Sequence, residues 1–232
     1  MKSFDKRRFL YRLLFYVLGL FILAMGVSVS VNSNLGISPV NSLPYEVSLI
    51  TGVPLSTCVI IVYCGYIFLQ FLILRRKFKL IYLTEVIFSI IFGYFVDLTS
   101  LIVGDFAIPT YAGKLVMLAI SVVLIALGVL IYVSVKLVPM PMEGLSLAIT
   151  EKAGIPFHNT KIIIDCIVVG VSVLLSVLAF HGLVGIREGT VITAIVVGRV
   201  MAVFRRPLLP IIERICFGVG ETDQESAEES AA

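Results

Sequence analysis

Two side chains combine a polar group with an unusual setting. Asn41 and Glu143 each lie two residues beyond a proline, Pro39 or Pro141, early in a short segment. Both segments end the same way, in Gly52-Val-Pro54 and in Gly154-Ile-Pro156. At helical spacing from these two residues stand Tyr45 and Ser48 in the first segment, and Ser146 and Thr150 in the second. Ser38 stands just before Pro39. An amide, a carboxylate and several hydroxyls can grip a solute by hydrogen bonds, but none of them has a base beside it that would make it a nucleophile. Two further groups, Asp165 and Arg199, fall inside apolar runs, where an ionisable side chain is costly and is either paired or functional. The candidate solute-binding set is therefore Ser38, Asn41, Tyr45, Glu143, Ser146, Asp165 and Arg199.

Each of these has a plainer reading beside it. Asn41 can cap its own segment, and Glu143 can be a solvated charge at the inner interface. Asp165 and Arg199, at similar depth, can form a structural ion pair, with Lys161, four residues from Asp165, as a competing partner. Asp97, about two turns from the outer end of its run, reads as a hydrated structural group, with a coupling-ion or proton site as the alternative; Glu85 and Glu188 lie nearer the ends of their runs, where hydration is expected, and Gln70, near the inner end of the second run, is a weaker candidate still.

Other chemistry has no foothold. There is no phosphate-binding Gly-rich motif, no GxSxG and no HExxH. The two histidines, His158 and His181, stand at opposite ends of one apolar run. Cys58, Cys64, Cys166 and Cys216 form no CxxC pair, so neither a disulfide framework nor a metal site is expected. No enzyme activity, cofactor or metal is expected.

The elements that must position the polar groups are hydrophobic spans. Hydrophobic residues make up 59% of the chain, charged residues 14%, and the mean hydropathy is +1.08. A soluble surface uses roughly 25% charged residues. Crossing the hydrocarbon core takes roughly 20 apolar residues. Six stretches qualify: 9–31, 54–74, 80–103, 113–135, 159–180 and 190–204, the last being short. The first follows a basic stretch but is too long for a signal-peptide core. Fifteen Lys and Arg fall on one side if the spans alternate, against Lys114 and Arg187 on the other. That bias places both termini in the cytoplasm. It also explains the basic residues without nucleic acid. The stretch 211–219 reads as a surface segment, and the acidic stretch 221–232 as disordered.

The two short segments align without a gap at a constant offset of 102 residues, Pro39 with Pro141 and Pro54 with Pro156. Leu43 matches Leu145, Gly52 matches Gly154, and upstream Gly26 matches Gly128. A second block, 86–93, matches 191–198. The expected fold is an all-α membrane protein of six transmembrane helices in two inverted three-helix repeats, because an odd number of spans per repeat reverses the second. The division is a basic N-terminus at 1–8, a first repeat at 9–110, a second at 111–206 and a cytoplasmic tail at 207–232. Each repeat holds a half-helix, at 38–51 and at 140–153. Proline favours the first turn, and glycine followed by proline stops the last. Gly36 frees the chain before the first half-helix. About 12 residues make roughly 18 Å of helix, too short to cross. Such a helix re-enters the membrane beside a cavity, where its N-terminus favours an anionic group, or lies along the interface.

At the two segments the chain resembles the bacterial YczE/YyaS/YitT group of small integral membrane proteins. Leu35-Gly-Ile-Ser-Pro39 is similar to that group's Gly-Leu-Gly-x-x-Pro segment. Residues 147–154, Leu-Ala-Ile-Thr-Glu-Lys-Ala-Gly, are similar to its Leu-Ala-Leu-Thr-Glu-Lys-Thr-Gly stretch, and Gly185-Ile-Arg-Glu-Gly-Thr190 to a late Gly-Ile-Gly-Thr element. The resemblance implies a fold and carries over no catalytic residue.

The function expected is a small transporter or exporter for a small anionic or zwitterionic solute, in the bacterial inner membrane. The alternative is a non-transporting partner, such as a substrate-capture subunit or a regulatory scaffold. Membrane lipid and a small-molecule solute are the expected partners. A homodimer or a partner subunit is compatible with the sequence.

Overall fold

A computed structural model describes residues 6–217. Over them the chain forms α1 (Lys6–Ser33), α2 (Pro39–Thr51), α3 (Leu55–Leu74), α4 (Thr84–Val103), α5 (Tyr111–Ser134), α6 (Pro141–Ala153), α7 (Phe157–Phe180) and α8 (Glu188–Cys216). Two single turns of 3₁₀ helix, Arg75–Lys77 and Leu80–Leu83, join α3 to α4.

Among the described residues five helical stretches are long and apolar enough to cross a membrane: Lys6–Ser33, Leu55–Leu74, Ile81–Val103, Tyr111–Ser134 and Asn159–Phe180. α8 differs from the expected 190–204 span. It is 29 residues long and runs on through Arg205, Arg206, Pro207 and Pro210. Its apolar part is therefore short and flanked by charge. The stretch expected along the surface continues α8 as far as Cys216. The acidic tail lies outside the described residues.

The short helices obey the local signals closely. Both are 13 residues long, with proline in the first turn. Gly52 at φ 70° and Gly154 at φ 68° end them in the left-handed region, which costs a side-chain-bearing residue roughly 1–2 kcal/mol and glycine nothing. The turns before them are also alike: Asn34 (φ 55°) and Lys136 (φ 49°) both adopt left-handed backbone. Each offers its carbonyl to an arginine, Asn34 to Arg187 Nη1 at 3.1 Å and Lys136 to Arg12 Nη2 at 2.8 Å.

The core is the crossing of α1 on α5. A methyl group on Gly128 would lie 2.6 Å from the Leu23 nitrogen, and one on Gly26 would lie 2.9 Å from the Ile125 nitrogen. Only glycine lets two backbones approach so closely, and apolar helices in lipid associate by such contacts. Gly19 faces Tyr132 while Gly26 faces Ile125, so α1 and α5 run antiparallel. α4 packs on α1 and α8 on α5. The short helices cross over: α2 packs on α7 as well as α3, and α6 packs on α3 as well as α7. One pair breaks the pattern. α3 packs along α4, whereas α7 and α8 are splayed.

Candidate functional site between the short helices

The α2 side is closed. Ser38, Asn41, Ser42 and Glu46 are all buried. Asn41 Nδ2 donates to Ser38 Oγ at 3.2 Å, and Tyr63 Oη donates to Asn41 Oδ1 at 3.1 Å. Asn41 therefore does more than local capping, because it ties α2 to α3. Ser42 Oγ donates to the Pro39 carbonyl at 2.8 Å and meets Ser172 Oγ on α7 at 3.1 Å. One turn on, Glu46 accepts the Gly185 N–H at 2.9 Å on Oε1. Its Oε2 makes no hydrogen bond among the described residues. Tyr45 is half-buried, and its ring packs close to Gly185. The loop from α7 to α8 is thus held against α2.

The α6 side is built from different residues on the same plan. Gln70 Nε2 on α3 donates to the Pro141 carbonyl at 3.0 Å and to Glu85 Oε2 at 2.8 Å. A methyl group on Gly144 would sit 2.8 Å from both Gln70 Nε2 and Glu85 Oε1. Gln70 is 1% exposed and Glu85 0%. The expectation that Glu85 would be hydrated is therefore corrected: α6 lies over the end of α4 and shuts water out, and Gln70 is buried with it. Among the described residues no lysine or arginine forms a salt bridge to Glu85 or Glu46. Both carboxyl groups carry the full burden of burial on hydrogen bonds alone.

Glu143 is half-buried rather than freely solvated. Tyr132 Oη donates to its Oε1 at 2.7 Å, and the Met140 N–H donates to Oε2 at 3.1 Å. The carboxylate thus caps its own helix. The N-terminus of α6, expected to favour an anionic solute group, already holds an anion from the chain itself. Lys161 and Asp165 lie within electrostatic reach of it. Behind it, Tyr16 packs edge-on to Tyr132 at 5.8 Å and donates to the Val138 carbonyl at 3.0 Å.

Asp165 pairs with Lys161 at 3.4 Å, both partly exposed. The expected Asp165–Arg199 pair does not form. Arg199 is exposed, and no hydrogen bond or ion pair holds it among the described residues. The reason is helical phase: Thr193, Phe204 and Ile212 turn α8 inward, and Arg199 falls on the opposite face. Ser146 is buried, but its hydroxyl bonds within α6, to the Met142 carbonyl at 3.0 Å. The structure thus joins Ser38 to Asn41, places Tyr45 beside Gly185, groups Glu143 with Asp165, and leaves Arg199 apart. Reading the sequence missed Glu46, Tyr63 and Tyr132 as members.

A cavity of about 430 Å³ opens where α7 and α8 part. Val129, Val133, Leu147, Phe157 and Met201 supply apolar wall, and Glu143, Lys136 and Lys161 supply charge.

Comparison with known proteins places these features in a wider group. Residues 10–206 match the family model described as "Family of unknown function (DUF6198)". The "Uncharacterized membrane protein YczE" of Bacillus subtilis (strain 168) is 30% identical over 197 residues, covering 84% of this chain and 86% of that protein. The "Uncharacterized protein YyaS" of the same organism is 29% identical over 204 residues, 87% of this chain and 94% of that protein. No solved structure matches.

Proposed function

The chain belongs to the DUF6198 family of membrane proteins, and from that premise we propose that it is a small transporter or exporter with a solute site between two inverted three-span halves. In this reading α1, α3 and α4 form one half, and α5, α7 and α8 the other, with α8 as the sixth span. Both termini lie in the cytoplasm, and the membrane is the bacterial inner one.

The observation that carries the reading is the crossed packing of the short helices. α2 touches α7 through Ser42 and Ser172, and α6 touches α3 through Gly144 and Gln70. Gly144 stands 102 residues after Ser42, and Ser172 stands 102 residues after Gln70. One contact is therefore the repeat image of the other. The antiparallel crossing of α1 and α5 supports the inversion, as do the paired turns at Asn34 and Lys136. Non-spanning helices at such an interface supply polar backbone and side chains where a solute can bind.

The two ends of the α7–α8 pair differ as alternating access would have them differ. On the α2 side Glu46 and Gly185 are locked together. On the α6 side the matching helices α7 and α8 are apart and a cavity reaches Glu143. Rocking one half on the α1–α5 crossing would exchange these conditions, opening the α2 side as the α6 side closes.

The test is solute flux into proteoliposomes holding the full chain, across a broad panel of small metabolites and amphiphiles. Saturable flux of at least one compound is expected. Absence of flux across the panel, with a stoichiometric partner co-purifying in mild detergent, would contradict transport by this chain alone and support the scaffold role.

A further inference from the structure

We propose that the cavity between α7 and α8 binds an apolar amine, a molecule with a hydrocarbon body and one cationic nitrogen. This names a solute class for the site proposed above and to that extent rests on that reading. The binding step itself does not depend on transport.

The walls decide the body of the ligand. Val129, Val133, Leu147, Phe157 and Met201 line the space. Its 430 Å³ falls within the roughly 300–1,000 Å³ of sites for small organic ligands. A mainly polar solute would lose water on entry and find few partners there.

The charges decide the head group. Three groups face the cavity. Lys161 is held by Asp165 at 3.4 Å. Lys136 stands over the Phe217 ring at 5.9 Å. Neither cation is poised for a ligand anion. Glu143 receives two donors, Tyr132 Oη and the Met140 N–H, one on each oxygen. A carboxylate offers about four lone-pair positions, so each oxygen can accept one more. Glu143, Asp165, Lys161 and Lys136 together carry no net charge, so the head group is chosen by the acceptor positions left open on Glu143, which a cationic N–H donor fills. Anionic lipid from the inner leaflet is the rival occupant. It has the right apolar portion and the wrong head group for Glu143.

The chain has no tryptophan, so Val133→Trp places a sole indole on the cavity wall. The reporter protein, full length in nanodiscs of a zwitterionic lipid, is titrated with three terminally brominated probes of equal chain length: an alkylamine, an alkanol and an alkanoate. Phe68→Trp, on the exposed face of α3, reports simple partition into the bilayer. The amine is expected to quench the cavity indole of Val133→Trp at about tenfold lower concentration than the alkanol, with no such preference in Phe68→Trp. Adding Glu143→Gln is expected to erase the preference and leave the alkanol unchanged. A preference for the alkanoate would overturn the inference in favour of an anionic lipid site. Equal quenching by all three probes at both positions would overturn it as bilayer partition. The amine-to-alkanol ratio in Val133→Trp decides the matter by itself if the Glu143→Gln variant does not fold. Quenching needs no flux, so its failure leaves the transport reading open, and absence of flux leaves the binding result standing.

Discussion

Gly144→Ala separates two opposed effects whose sizes differ enough to predict the sign. Gly144 lies inside α6, and replacing glycine by alanine within a helix ordinarily gains about 1 kcal/mol. Against that, the new methyl would stand 2.8 Å from Gln70 Nε2 and 2.8 Å from Glu85 Oε1. Neither side chain can swing away without loss, because both are buried and Gln70 holds hydrogen bonds of 2.8 Å to Glu85 and 3.0 Å to Pro141. Overpacking costs about 1–3 kcal/mol, and each hydrogen bond given up costs about 1 kcal/mol net. The clash outweighs the propensity gain, leaving a net loss of about 1–4 kcal/mol. At about 2–4 °C per kcal/mol for a chain of this size, the midpoint of thermal unfolding of the protein in detergent, followed by helical circular dichroism, should fall by roughly 2–16 °C. Gly170→Ala is the control: it sits inside α7 with nothing within 4 Å of the added methyl, and its Tm should hold or rise by a few degrees. If Gly144→Ala melts where Gly170→Ala does, α6 does not press on Gln70 and Glu85, and the crossed packing is wrong.

Other substitutions probe the same packing. Gln70→Leu should cost about 2–4 kcal/mol by stranding Glu85 and the Pro141 carbonyl, and adding Glu85→Leu should recover part of that loss in a double-mutant cycle of unfolding midpoints. Ser42→Ala, at the matching contact of the other half, should cost only about 0.6–1.2 kcal/mol by the same measurement, because one hydroxyl's two bonds, to Ser172 and to the Pro39 carbonyl, are lost there and no charged group is stranded. Arg199→Leu should move the unfolding midpoint by the equivalent of less than about 0.5 kcal/mol, since no partner holds that guanidinium among the described residues. A large loss would restore the ion-pair reading. Arg12→Met should cost about 1–3 kcal/mol, because Arg12 satisfies the Val135 and Lys136 carbonyls at the end of α5.

How much of this is legible in the sequence follows from how local each signal is. The ends of the short helices are legible to within a residue, because Pro39, Pro141, Gly52 and Gly154 act on their own backbone. Five spans are legible because length and apolarity decide them. Glu46 escapes notice because one carboxylate on a short helix reads as solvated. Its signal is spacing: Ser42 and Glu46 lie one turn apart, on the face that meets α7 and the Gly185 loop. Glu85 misleads because nearness to a span end reads as exposure, and only the fold shows α6 covering it. Depth alone suggests pairing Arg199 with Asp165. The phase of α8 and the splay of α7 from α8 decide otherwise.

In the proposed architecture the two halves insert in opposite directions, each presenting its short helix to a different side of the membrane. Thr51 and Ala153, both exposed, end those helices. They stand 102 residues apart, so they are repeat images of each other. With the four native cysteines replaced, Thr51→Cys and Ala153→Cys can be treated singly with a membrane-impermeant maleimide in intact cells and in opened membranes. Opposite insertion predicts that Thr51→Cys reacts in intact cells and that Ala153→Cys reacts only once the membrane is opened. Labelling of both positions from the same side would contradict it.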